Sequence, residues 1–114
     1  MDTISLTALA REHLEKARTS NSGRSAHTVH GGHEHSLRQT LIALAAEQDL
    51  HEHEAPEEAT LQVLDGRVRL DAGDTSWEGA TGDLVVIPDV RHSLHALQDS
   101  VVLLTVMNRL SAGS

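Results

Sequence analysis

The sequence predicts an all-β fold, a sandwich or barrel of short strands preceded by one helix. Three observations carry this. From Thr60 to Met107, runs rich in Val, Leu and Ile alternate with Gly- and Asp-bearing turns, at spacings typical of such folds. Ahead of them, Leu6, Leu9, Ala10, Leu14 and Ala17 form an apolar stripe at helical spacing. Aromatic residues make up only 1%, a single Trp77, so the core is built from Leu, Val, Ile and Ala.

The helix spans residues 5–18. Thr3, Ser5 or Thr7 can cap its start, and Glu12 and Lys16 are a favourably oriented i,i+4 pair. A helix this short does not stand alone, so its stripe docks on the sheet or on a second subunit. Residues 19–26 are polar and read as a loop or linker. The chain thus divides into a helix and linker, 1–26, and a β domain, 27–114. Strand character begins at Leu37, and the run to Ala46 is apolar on both faces in its second half. Strands then follow at 60–64, 67–71, 75–78, 83–88, 92–97 and 101–107. Asp65-Gly66 reads as a hairpin turn, and Ala72-Gly73-Asp74 and 79–82 as further turns. Val101–Met107 is also apolar on both faces, which predicts a cover from the helix or from a homodimer partner.

Seventeen acidic residues against nine basic give a formal net charge of −8, which argues against nucleic acid as the main partner. No cysteine is present, so disulfides, thiolate catalysis and zinc–thiolate sites are excluded. No apolar run is long enough to cross a membrane as a helix, and the N-terminus lacks a secretion signal, so a cytoplasmic location is expected.

The histidines carry the chemistry. His51 and His53 stand one residue apart on an extended stretch, so simple alternation points both to one face. Glu58 follows, and His92 lies on a later strand. Three imidazoles from two strands can hold a divalent ion, with the barrel keeping bulk water away. Imidazole suits Zn, Fe, Ni or Cu, and a carboxylate from Glu58 widens the choice to Mn. The competing reading is a metal-free barrel in which His53 and His92 make hydrogen bonds and His51 lies at the mouth. His33 and His35 form another doublet, readable as a second metal site or as a surface loop entering a strand. His95, three residues after His92, falls on the opposite face. Glu52, Glu54, Glu57 and Glu58 read as a solvated acidic loop or as a source of one general acid or base. Arg38, Gln39 and Trp77 are candidate pocket or interface residues.

Residues 37–107 resemble the cupin superfamily. His51-x-His53, Glu58 and Gly66 stand in the order of that family's first motif, and Gly82, Pro88 and His92 match its second. The resemblance implies a single cupin-type jelly-roll β-barrel with one short N-terminal α-helix, and a metal set of His51, His53, Glu58 and His92. Three departures imply a rearranged site. Counting back six intervening residues from Gly66 reaches Ala59 rather than Glu58, so Glu58 serves only through a bulge or a loop. No Gly precedes the first motif. The Pro88–His92 spacing is one residue short, and Ala96 replaces the closing Asn. Cupins include enzymes as well as sensors and stores, so fold alone does not decide activity. Two functions are expected: a small-molecule- or metal-binding protein without turnover, such as a sensor or stress-response protein, or a metal-dependent dioxygenase or isomerase acting on a small organic substrate.

Overall fold

The computed structural model describes residues 1–32, 34–53 and 58–107, with the side chains of all but Glu52 and His53. Helix α1 (Leu6–Thr19) begins at Ser5, whose extended backbone and hydroxyl cap it by accepting the Ala8 N–H at 3.1 Å. Among the described residues nine strands follow: β1 (Arg24–His30), β2 (Leu37–Leu44), β3 (Asp49–His53), β4 (Glu58–Asp65), β5 (Arg67–Ala72), β6 (Thr75–Ala80), β7 (Leu84–Val86), β8 (His92–Ala96) and β9 (Ser100–Met107). They form a five-stranded sheet in the order β1-β2-β9-β4-β7 and a four-stranded sheet in the order β3-β8-β5-β6. Every pairing is antiparallel. This is the jelly-roll arrangement of two facing sheets.

The period-two alternation of each strand sorts its side chains into two cores. Leu44, Ala59, Leu61, Val63, Val68, Leu70, Ile87, Leu94, Ala96 and Val102 fill the space between the sheets. Trp77 packs on their edge, its ring lying over Gly79, where a Cβ would collide with it. The opposite faces of β2 and β9 supply Leu41, Ala43, Val101 and Leu103 to a second core, closed by Leu14 and Ala17 of α1. The strands that read as apolar on both faces are therefore covered on both sides within one chain. The helix provides the cover that the sequence left open between helix and homodimer partner.

The structure differs from the sequence reading in three respects. First, no ladder joins the two sheets among the described residues, so the fold is an open sandwich rather than a closed barrel. Second, part of the polar stretch 19–26 belongs to β1, which pairs with β2 from Arg24↔Leu44 onward. This edge strand is mostly exposed, with only Ser25 and Val29 half-buried, so it carries no apolar alternation to reveal it. Third, Asp65-Gly66 is not a hairpin: β4 and β5 lie in different sheets, and the turn carries the chain from one to the other.

That corner is pinned from below. Gly66 has φ +96° and packs against the backbone of Asp99 and Ser100. The Ser100 hydroxyl, 1% exposed, accepts the Arg67 N–H at 3.0 Å, with the Arg67 and Gln98 carbonyls at 3.1 and 2.8 Å as acceptors for its proton. Beside it, Asp99 accepts the Ala46 N–H at 2.8 Å and the Arg18 Nε–H at 2.8 Å, tying the helix end to this end of the sandwich. The other end holds the start of β2, the end of β3, the start of β4, the Gly73 hairpin and His92.

Candidate functional site

His92 opens β8 on the inner face, in the alternation that also buries Leu94 and Ala96, and is 9% exposed. Its Nδ1 lies 3.0 Å from the Val90 carbonyl oxygen. A carbonyl only accepts, so Nδ1 is the donor in this contact; in the neutral ring that leaves the lone pair on Nε2, the form in which imidazole binds metal. Across the ladders, His92 pairs with Ala72 of β5 and with His53 of β3.

The pairing with His53 depends on an irregularity. Leu50 faces Leu94, but the register shifts by one before His53 reaches His92. Uninterrupted alternation would have set Glu52 opposite His92; the bulge sets His53 there instead. The His53 side chain lies outside the described residues. His51, within the irregular stretch, is exposed.

Glu58 is exposed at the start of β4. The β4–β9 register runs unbroken from Glu58↔Met107 to Val63↔Val102, and its one shift lies beyond Val63. Glu58 thus shares the outer face with Thr60, Gln62 and Leu64, while Ala59, 6% exposed, occupies the inner position. The bulge that would turn the carboxylate inward is not in that segment. Of the four candidate ligands, the fold brings the backbones of His53 and His92 together, leaves His51 exposed and sets Glu58 on the opposite face. Among the described residues, no three His, Asp or Glu side chains gather as a metal set.

Other sequence candidates separate clearly. Arg38 pairs with Val106 on the inner face of β2, in the alternation of Ile42 and Leu44, and is exposed where that face opens at the His92 end. Gln39 faces outward and donates to Thr105 Oγ1 at 3.2 Å. His95 faces outward from β8, its Nδ1 2.6 Å from Asp49 Oδ1 and its Nε2 3.2 Å from Glu47 Oε2. His33 lies outside the described residues; His35 and His30 are exposed, with ring centroids 5.2 Å apart, edge to face.

One polar cluster was missed from the sequence. His13 of α1 is 5% exposed beneath β1, its Nδ1 2.6 Å from Ser25 Oγ and its ring centroid 5.3 Å from that of His27. Among the described residues its buried Nε2 has no hydrogen-bond partner, and a carboxylate oxygen of Glu12 lies 3.6 Å away. Burial lowers its pKa, aided by Lys16 and His27 and opposed by Glu12. The signal was available: His13 lies four residues after Leu9 and four before Ala17, inside the apolar stripe.

No family model matches the chain, and no curated protein matches it in sequence. Solved structures do match in shape. A conserved Streptococcus pyogenes protein of unknown function superposes with TM-score 0.71 at 22% identity, over 79% of this chain and 78% of that one. A cupin superfamily protein from Desulfitobacterium hafniense gives 0.69 at 13% identity, over 75% and 78%. An RmlC-like cupin protein from Desulfovibrio desulfuricans gives 0.64 at 24% identity, over 74% and 81%. Similarity at these identities is one of architecture, and with the two facing antiparallel sheets it makes this chain a small protein of the cupin fold.

Proposed function

We propose that the chain binds a small molecule, a divalent metal ion or both, between the sheets at the His92 end, without turnover. The observation that carries this reading is His92: a buried imidazole in line with the apolar Leu94 and Ala96 on the inner wall, its Nδ1 directed to the Val90 carbonyl and its backbone paired with His53 across the ladder. An apolar concave site with a few placed polar groups is the usual form of a small-molecule site. Histidines fit a metal here. Ala59, standing where the family motif has its carboxylate, supports a nitrogen-rich set of His53, His92 and His51 over one completed by Glu58. The same Ala59 weighs against the alternative, a dioxygenase or isomerase, because it removes the nearest acid–base group from the inner wall.

Metal content of untagged protein, measured by mass spectrometry and by titration with Zn, Ni, Cu, Mn and Fe(II), tests the metal arm. Stoichiometric binding should vanish in His53→Ala and His92→Ala and persist when His33 and His35 are both replaced. Occupancy should fall as pH drops below about 6, where protons compete for imidazole. Binding retained in His92→Ala but lost with His33 and His35 would move the site to the β1–β2 turn. Oxygen uptake or substrate turnover by the metal-loaded protein would overturn the non-catalytic reading. We also propose a homodimer. Its support is now the exposed Leu84, Val86 and Val90 at and beyond edge strand β7, since α1 covers the face that first suggested it. A monomeric mass by light scattering at micromolar concentration would refute it.

A further inference from the structure

We infer that the small molecule taken at the His92 end is an organic carboxylate, and that Arg38 is its specificity-determining residue. This deepens the binding reading above and rests on it.

The register sets the geometry. Across the five-stranded sheet, Arg38 of β2 pairs with Val106 of β9, which pairs with Ala59 of β4. The Ile87 N–H extends this row by donating to the Ala59 carbonyl at 2.9 Å. All lie at the end of the sandwich where His92 opens β8 on the facing sheet. Opposite residues on neighbouring strands share a face, so Arg38, Val106 and Ala59 form one inner wall with a single charge on it, at its solvent-exposed mouth.

Among the described residues Arg38 makes no hydrogen bond or ion pair. By contrast, Arg18 and Arg69 each hold an aspartate, at 2.8 and 3.1 Å. Ala59 offers the inner wall no negative charge, and Glu58 faces the other way. In a chain of net charge −8, an arginine on an inner wall with no acidic neighbour there among the described residues is the site's electrostatic signature.

The ligand class follows from the donors. A guanidinium presents a planar fork that pairs with a carboxylate through two parallel hydrogen bonds. Thr40, the next inner position on β2, adds a half-buried hydroxyl. Beyond them the wall is Leu104, Val106, Ala59 and Ile87, suited to an apolar body rather than to further charge. The acidic surface disfavours polyanions. One carboxylate on an apolar body fits both.

The test is an NMR titration of the full chain, in a buffer free of carboxylates, with acetate, benzoate and hexanoate against the matching amides. Shifts are expected at Arg38, Val106 and His92, with acids bound about tenfold or more tighter than amides, as for a charge-assisted hydrogen bond. Arg38→Gln should remove that preference while leaving amide shifts elsewhere unchanged. Ala59→Glu, which places a carboxylate on the same wall, should abolish acid binding. Equal affinity for acids and amides, unchanged preference in Arg38→Gln, or shifts confined to another surface would each overturn the inference. Metal bound at His53 and His92 with no response to any acid would leave the binding reading standing and this inference refuted.

Discussion

Replacing Gly66 by alanine should be far more costly than replacing Gly73, although both have positive φ. At Gly73, φ is +59° and nothing lies within 4 Å of where an added methyl would sit, so Gly73→Ala carries only the left-handed backbone cost of about 1–2 kcal/mol. At Gly66, φ is +96°, and an added Cβ would overlap Ser100 Oγ and the Asp99 carbonyl, with Ser100 Cα at 2.8 Å. These are mostly backbone atoms and cannot swing aside as a flexible side chain would. Yielding would pull the buried Ser100 hydroxyl from the Arg67 N–H, and a buried group left without its partner costs about 1–3 kcal/mol. With backbone strain of about 1–3 kcal/mol, the total is about 2–6 kcal/mol. That is a large part of the roughly 5–15 kcal/mol that holds a domain folded. Urea denaturation followed by circular dichroism and Trp77 fluorescence measures both variants on one scale. A Gly66→Ala loss no greater than that of Gly73→Ala would refute the claim that close packing at this corner, rather than backbone sign alone, requires glycine.

Two further predictions concern titrating groups. The folded-state pKa of His13 is lowered, chiefly by burial, so below about pH 6.5 the unfolded chain takes up a proton that the folded chain resists. Stability should therefore decline as pH falls from about 6.5 toward the folded value, and His13→Gln should flatten that decline; parallel urea-midpoint profiles for the two proteins would sink it. Asp99 is held below its ordinary carboxylate value by Arg18 first and the Ala46 N–H second. Its contribution is present above about pH 3.8 and is lost as pH falls through the folded value, so Asp99→Asn should cost more stability at pH 7 than in acid, the deficit shrinking as pH falls below about 3.8. A deficit that does not shrink at all across the acid range would show that the lost interaction is not one of charge.

The sequence by itself determined the class of fold and most of its elements. Alternation from residue 58 to 107 is strong because one or both faces of those strands are buried, and burial is what writes a period into a sequence. The helical stripe is legible for the same reason, and so is the face of His92, which alternation ties to Leu94 and Ala96. Tertiary structure alone decided what alternation cannot carry. β1 is an edge strand with little buried surface, so its residues bear no pattern. Asp-Gly at 65–66 marks a tight turn, but only the packing of Gly66 on Asp99 and Ser100 makes that turn a corner between sheets. A one-residue bulge after Leu50 brings His53 opposite His92, whereas the unbroken register of β4 keeps Glu58 outside. Parity along a strand is local, but the register that converts it into inside or outside belongs to the pairing of distant strands.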